Sequence, residues 1–264
     1  MNARELQAYL KSLDGGWVHP ENTVDTIKSG NSEVEITGIA VAWMSYLWAL
    51  EKAVELDCNV FITHEPTYYS HQGNDMEIFN LRSAFNKRAF LEETGLTVIR
   101  CHDLWDQFPD IGIPDSWGQL LGFGEAIDGN GFLRVYDVRG RTALDVAQQV
   151  ASRTKEYGQE AVQLIGPADY PVTRLGIGTG AITPYRSFLH DYQVDLAICT
   201  DDGMFYCFEA AIAIDMGLPM IVVNHPVSEE VGMINLAHHL ENQFPSIPVH
   251  HIPQGCMYRL ISVP

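Results

Sequence analysis

Short apolar runs alternate with amphipathic helical patterns along most of this chain, and this alternation limits the folds that it can adopt. The segments EITGIAVA (35–42) and CNVFIT (58–63) have the length of buried strands, and the helical pattern SYLWALEKAVEL lies between them. Strands that alternate with helices predict parallel pairing, because the helix carries the chain back to the start of the next strand. The sequence therefore predicts an α/β protein.

The order of strand, helix and strand occurs twice in the sequence. The first copy begins at Gly38 and ends in the polar residues THEP, and the second begins at Gly176 and ends in TDDG. Such internal similarity indicates two related modules. We predict a first module over residues 1–125 and a second over residues 126–264, intertwined in one compact unit. Each is expected to contain a mixed, largely parallel sheet flanked by helices.

Each copy is followed by a second matching motif, in which a glycine, an apolar strand, a histidine and a carboxylate occur in that order. GLTVIRCHDLWD places His102 four residues before Asp106, and GLPMIVVNHPVSEE places His225 four residues before Glu229. In open α/β sheets, ligands bind beyond the carboxyl ends of the strands, where these residues are expected. The sequence therefore predicts functional groups at the strand ends of both copies.

Polar residues at these strand ends include six candidate metal ligands: His64, Glu65, His102, Asp106, His225 and Glu229. Imidazole and carboxylate groups together suit zinc, manganese, iron or cobalt ions. Six ligands exceed the number that one catalytic zinc ion takes, and a carboxylate can bridge two ions. The pattern as a whole favours a centre with two divalent ions, whereas each residue taken singly also fits a turn or a helix N-terminus.

Other polar motifs are less specific. The glycines of GIGTG (176–180) fit either a phosphate-binding loop or a tight turn between a strand and a helix, and no Walker lysine follows them. His71, near the THEP loop, is a candidate for lining a cleft. The remaining histidines are interpreted as surface or packing residues: His19, His190, His238, His239, His250 and His251.

Composition narrows the range of partners and compartments. The formal net charge is −18, so most of the surface would repel a nucleic-acid backbone. The five cysteines have no CxxC spacing, which argues against a disulfide framework and a thiolate zinc site. No apolar run in the sequence approaches the roughly 18 residues of a membrane span. We expect a cytoplasmic protein that binds neither nucleic acid nor membranes.

The quoted segments resemble the Ngg-interacting-factor-three-like family, also described as dinuclear metal centre hexameric proteins and as GTP cyclohydrolase 1 type 2 homologues. The segment from Gly38 through THEP resembles the family's first strand–helix–strand unit and its His-His-Pro loop, and NHPVSEEVGMINLAHHL is the most specific match. The resemblance implies two divalent ions (zinc, iron or manganese) and a ring-shaped homohexamer. It also implies that four residues occupy ligand positions: His64, Asp106, His225 and Glu229.

The chain departs from the family pattern at several of these places. Glu65 stands where the family has the second histidine of its His-His-Pro loop, and Met44 stands where it usually has an aspartate. The family's Thr-Gly-Asp/Glu loop is TDDG here. A carboxylate also binds metal ions, so Glu65 is predicted to be a fifth ligand.

Two functions fit these expectations. The first is a metal-dependent hydrolase that acts on a nucleotide-like or other small anionic substrate. The second is a metal-trafficking or interaction hexamer without catalysis. A metal-free scaffold is a third interpretation, because Glu65 and Met44 change the family pattern. The sequence assigns a catalytic role to no residue.

Overall fold

The computed structural model describes residues 1–181, 184–261 and 263. Contacts within the chain divide it into two compact units, each built from two segments. Unit 1 consists of Met1–Phe108 and Met233–Pro253. Unit 2 consists of Pro109–Gly232 and Gln254–Pro264.

Unit 1 contains a five-stranded sheet. Its strands are β1 (Ile27–Ser29), β2 (Ile39–Ala42), β3 (Val60–Thr63), β4 (Thr97–Arg100) and β11 (Val249–His251). They lie in the order β1-β4-β3-β2-β11, and all neighbours are parallel except β1, which is antiparallel to β4. Every residue of β2, β3 and β4 is buried, as is typical of parallel strands that are covered on both faces.

Helices bury the apolar surface of this sheet. The helices of unit 1 are α1 (Ala3–Ser12), α2 (Leu47–Glu55), α3 (Met76–Phe79) and α4 (Arg82–Thr94). Ala49, Leu50 and Ala53 form the apolar face of α2, and they share one core cluster with Phe61 of β3 and Leu91 of α4. The spacing of these α2 residues follows the helical period, which explains why this segment forms a helix against the sheet.

Unit 2 contains a six-stranded sheet. Its strands are β5 (Asp128–Gly129), β6 (Arg134–Thr142), β7 (Gln163–Ile165), β8 (Pro171–Ile177), β9 (Leu196–Thr200) and β10 (Met220–Val223). The order is β5-β6-β8-β9-β10-β7. β8, β9 and β10 are parallel, whereas β5, β6 and β7 join the sheet through antiparallel pairs.

Both faces of this second sheet are covered. The helices of unit 2 are α5 (Ile113–Leu121), α6 (Ala143–Thr154), α7 (Tyr185–His190) and α8 (Ala211–Met216), with a 3-10 turn at Lys155–Tyr157 and a π turn at Tyr206–Ala210. Ile198 of β9 packs in the cluster that contains residues of α5 and α6. Its neighbours Ala197 and Cys199 pack in the opposite cluster with Tyr185 and Phe188. The alternation follows from the two-residue period of a strand.

The longest helix, α9 (His225–Gln243), contributes residues to both units. Its residues up to Gly232 belong to unit 2, and those from Met233 onwards belong to unit 1. Among the helices of the described residues, none is both long enough and apolar enough to cross a membrane.

The two units share the arrangement of their central strands. β2, β3 and β4 lie side by side in chain order and are parallel, as are β8, β9 and β10. In each unit the strand that precedes this triplet, β1 or β7, lies antiparallel against its third strand. The strands that contain Ile39 and Gly176 therefore take equivalent sheet positions, and the predicted α/β architecture is confirmed. The module limits 1–125 and 126–264 stay a prediction.

An ion pair between α5 and β6 leads to a prediction about the stability of unit 2. Arg134 donates from Nε to Oδ1 of Asp115 at 2.6 Å and from Nη2 to Oδ2 at 2.9 Å. Burial alone would raise the pKa of Asp115, but the hydrogen bonds and charge of Arg134 hold that pKa below its ordinary value. A depressed carboxyl pKa stabilises the fold above the unfolded-state pKa, and this contribution disappears as pH falls through the folded-state pKa.

We expect Asp115→Asn to lower the free energy of unfolding at pH 7 by about 1 kcal/mol, because the site is partly exposed. The difference from the wild type should begin to shrink below about pH 4, where the carboxylate of the unfolded chain takes up a proton, and should vanish only when pH falls below the depressed folded-state pKa. Urea unfolding at pH 7 and pH 3 measures both values. Glu51→Gln, at an exposed position of α2, is the control for the loss of one charge. An equal deficit at both pH values would contradict the prediction.

Candidate metal centre

Three polar side chains meet at the carboxyl ends of β3 and β4 in unit 1. His64 follows β3 directly, and His102 and Asp106 lie in the turns after β4. One potential ligand atom from each of these residues lies within 4.8 Å of the other two. The rings of His64 and His102 stack with their centroids 4.5 Å apart, and His64 Nε2 is 3.3 Å from Asp106 Oδ1. The spacing suits one cation held by three residues.

The hydrogen bond of His64 fixes which of its nitrogens faces Asp106. Nδ1 is 3.1 Å from the carbonyl oxygen of Cys101. Because a carbonyl oxygen only accepts, Nδ1 carries a proton, and Nε2 is the nitrogen that faces the carboxylate. A nitrogen lone pair and a carboxylate oxygen repel each other at this distance unless a proton or a cation lies between them. The donor set therefore fits a divalent metal ion, and Cys101 is the orienting partner that metal-binding histidines usually have.

His102 is oriented by a neighbouring carboxylate. Its Nδ1 is 2.9 Å from Asp103 Oδ1 and 3.3 Å from Asp106 Oδ2. Burial opposes the ionisation of Asp103, but hydrogen bonds from His102, Val24 and Thr23 outweigh it and hold the pKa of Asp103 well below its ordinary value. Asp103 is therefore ionised at neutral pH and fixes the imidazole ring.

His102 was one of the six candidates but not one of the five residues predicted to be ligands, and the structure places it beside His64 and Asp106. The signal in the sequence was its position four residues before Asp106, which matches the spacing of His225 and Glu229. His102 therefore belongs with the candidate ligands of unit 1.

A buried guanidinium group borders Glu65, the predicted fifth ligand. Arg100 Nη2 is 3.5 Å from Glu65 Oε2, and the arginine side chain has no exposed surface. Arg100 also donates to the backbone carbonyls of His64 at 2.8 Å and His71 at 2.7 Å. Burial lowers the pKa of Arg100, and the charge of Glu65 opposes that shift. Glu65 thus has a counter-charge within unit 1, and its role as a metal ligand stays a prediction.

His71 lies at the exposed edge of the same cluster. Its ring contacts the ring of His102 edge-on, with the centroids 4.9 Å apart, and its Nδ1 accepts from Arg100 Nη2 at 3.2 Å. Burial, followed by the positive charge of Arg100, lowers the pKa of His71 to about 4. The ring is therefore neutral at pH 7, and Nε2 carries its proton. His71 borders the cluster as a hydrogen-bond donor.

Unit 2 contains a second histidine–carboxylate pair. His225 begins α9 and is separated from β10 by Asn224 alone; its Nε2 is 3.1 Å from Oε2 of Glu229, one helical turn later. Nδ1 is 3.0 Å from Asp202 Oδ2, in the TDDG segment after β9. The hydrogen bond with His225 lowers the pKa of Asp202, so this residue is an ionised acceptor. His225 therefore directs Nε2 at Glu229, as His64 directs its own at Asp106.

Gly180, the last residue of GIGTG, lies against this second pair. Its φ is +55°, and a Cβ atom there would overlap Oε1 of Glu229 and stand 3.0 Å from Nε2 of His225. Thr200 Oγ1 donates to the Gly180 carbonyl, which ties the glycine to the end of β9. Of the two interpretations of GIGTG, the structure supports a turn after β8, whose last glycine leaves room for the two side chains.

A family model described as Duf34/NIF3 (NGG1p interacting factor 3) matches residues 24–254 and so spans both clusters. The chain belongs to the Duf34/NIF3 family. The family expected from the sequence is thus confirmed. A relative from Chlamydia pneumoniae, named GTP cyclohydrolase 1 type 2 homolog, is 23% identical over 252 residues, which cover 93% of this chain and 95% of the relative.

Solved structures of other proteins share this architecture. A hypothetical protein from Staphylococcus aureus, SA1388, is 17% identical and superposes with a TM-score of 0.80 over 99% of both chains. A Bacillus cereus protein related to NIF3 is 12% identical and superposes with a TM-score of 0.78 over 100% of this chain and 99% of its own. At these identities, the similarity establishes the fold alone. The ligand roles of His64, Glu65, Asp106, His225 and Glu229 stay predictions.

The position of Gly180 leads to a test of the second pair. We expect Gly180→Ala to weaken zinc binding at least tenfold, because the new methyl group displaces Glu229 and His225. Gly217→Ala is the matched control, since Gly217 has a φ of +66° and open space around a Cβ atom. Both variants should lose stability through backbone strain. Chelator competition measures the zinc affinity, and equal affinities in the two variants would contradict the prediction.

Proposed function

We propose that this protein is a metal-dependent hydrolase with two divalent ions, which acts on a nucleotide-like or other small anionic substrate. The observation that carries the proposal is the recurring histidine–carboxylate pair. His64 faces Asp106 at 3.3 Å and His225 faces Glu229 at 3.1 Å, each with its Nδ1 committed to an oxygen acceptor. The name of the Chlamydia relative, GTP cyclohydrolase 1 type 2 homolog, supports a nucleotide-like substrate.

A divalent ion bound by such ligands supplies Lewis acidity and lowers the pKa of a water molecule into the neutral range. The residues around the ligands have separate tasks. Asp103 and Asp202 hold the rings of His102 and His225 in one orientation. His71, with a proton on Nε2 at the exposed edge of the unit 1 cluster, is suited to donate a hydrogen bond to an anionic substrate.

Metal trafficking without catalysis is the alternative, and one observation favours it. His102 belongs to two groups of potential ligands in unit 1: one with His64 and Asp106, and one with His71 and Asp103. The first group is mostly buried, while His71 of the second is exposed. Two groups that share a residue would let an ion move stepwise between the interior and the solvent. A homohexamer is predicted under both alternatives.

Elemental analysis of protein purified without added metal, combined with a nucleotide hydrolysis assay, tests the proposal. The hydrolase predicts two ions per chain and a turnover of GTP or a related nucleotide that a chelator abolishes and added metal restores. Metal trafficking predicts ions that pass to an apo acceptor protein without any turnover. A chain that takes up no divalent ion would show the proposal to be wrong.

A substitution at Glu229 tests the ligand assignment in unit 2. Glu229→Gln keeps the side-chain size and removes the charge. Metal affinity should therefore fall by at least the roughly 10–100-fold that is typical of losing a residue that hydrogen bonds to a metal ligand. Glu230→Gln is the control, because Glu230 accepts from the amides of Gln254 at 3.0 Å and Gly255 at 3.4 Å. This control should lower stability and leave metal affinity near the wild-type value. Calorimetric titration measures both, and equal affinities would make Glu229 an ordinary helix acid.

A further inference from the structure

A buried aspartate from another part of the chain holds the ligand-bearing turn of unit 1. Asp25, which precedes β1, accepts through Oδ1 from the amides of His102 at 2.6 Å and Asp103 at 3.1 Å. Its Oδ2 accepts from the amide of Leu104 at 2.8 Å. Burial of a carboxylate is costly unless it is hydrogen bonded, and here three consecutive amides converge on one side chain. The backbone that carries His102 is therefore fixed from outside its own segment.

An aspartate from a different place in the fold makes a similar contact in unit 2. Asp201, at the end of β9, accepts through Oδ1 from the amide of His225 at 3.0 Å and through Oδ2 from Nδ2 of Asn224 at 2.8 Å. The Oδ1 atom of Asn224 accepts from the amide of Met257 at 2.8 Å. The His225 amide lies in the first turn of α9, where the helix itself supplies no acceptor. Asp201 supplies that acceptor.

The two contacts are the same in kind. In each unit an aspartate oxygen accepts from the amide of the histidine that begins the His-x-x-x-carboxylate motif, His102 or His225. A second aspartate, Asp103 or Asp202, accepts from Nδ1 of the same histidine. One acceptor fixes the backbone and the other fixes the ring, so little freedom remains in the position of either imidazole. Binding sites need their ligands held to within about 0.5 Å, which is what such support provides.

We propose that Asp25 and Asp201 are positioning residues that preorganise the two histidine–carboxylate segments, so that metal affinity depends on both aspartates. The inference rests on the proposed function, because metal binding is part of that proposal. The alternative is a purely structural role, in which each aspartate stabilises its unit and its loss leaves metal affinity unchanged. The two roles differ in whether substitution of the aspartates lowers metal affinity or lowers stability alone.

The pairing of Asp201 with Asn224 offers an exchange that separates these roles. In Asp201→Asn, the new carbonyl can accept from the His225 amide, but the new NH2 group meets Nδ2 of Asn224, and two donors oppose each other. In the double variant D201N/N224D, the side-chain NH2 group at position 201 donates to the side-chain carboxylate at position 224. That carboxylate still accepts from the Met257 amide, so all three hydrogen bonds return.

The assay uses the full chain titrated with Co²⁺, whose visible absorption reports ligand geometry, together with thermal unfolding of the metal-free protein. We expect D201N to bind Co²⁺ at least tenfold more weakly with an altered spectrum, and D201N/N224D to return within about threefold of the wild type. Asp25→Asn should weaken binding likewise, because its new NH2 group opposes an amide in the segment His102 to Leu104. Asp195→Asn is the matched control, since Asp195 accepts from the amides of Thr173 and Arg174 at the opposite end of β9.

The outcomes separate the inference from the proposed function. A wild-type chain that binds no Co²⁺ overturns the proposed function and the inference together. If the wild type binds Co²⁺ while D201N shows only a lower unfolding temperature and the same affinity, as expected for Asp195→Asn, the inference alone is overturned. A double variant that folds like the wild type but remains as weak as D201N also overturns it.

Discussion

An imidazole whose Nδ1 donates to a fixed oxygen can offer only Nε2 to anything else, and the histidine–carboxylate pair of each unit depends on that constraint. The carbonyl of Cys101 sets the ring of His64, and the carboxylate of Asp202 sets the ring of His225. Each ring then faces a carboxylate, and a proton on Nε2 or a cation between the two groups makes that contact favourable.

The sheets explain why the pairs form where they do. Parallel strands end at a common edge, so residues that directly follow β3 and β4 become neighbours although they are distant in sequence. The spacing of four residues between histidine and carboxylate is then realised in two ways. In unit 2 it is one turn of α9, which places His225 and Glu229 on one helix face. In unit 1 a series of turns after β4 brings His102 and Asp106 together.

Apolar runs and repeated motifs were sufficient to predict the architecture, the equivalence of the two central strand sets and the residues at the strand ends. The strand predicted over 35–42 occupies only Ile39–Ala42, because apolar periodicity does not mark where hydrogen bonding to a neighbour begins. Contacts that depend on tertiary proximity were not predictable. Asp25 reaches the amide of His102 across 77 positions, and the guanidinium of Arg100 meets Glu65 only because β4 lies beside β3. The local sequence gives no sign of either contact.

The bond from Met257 to Asn224 has a consequence for the order of events during synthesis. Asn224 helps to hold Asp201, yet its own partner follows it by 33 residues in the chain. Unit 1 likewise receives β11, which pairs with β2, only from the segment around residue 250. A ribosome therefore releases both histidine–carboxylate motifs well before the strands and backbone amides that complete their surroundings. Neither unit reaches its final form while the chain is half made, so the candidate ligand groups take their final geometry only when these late segments have been synthesised.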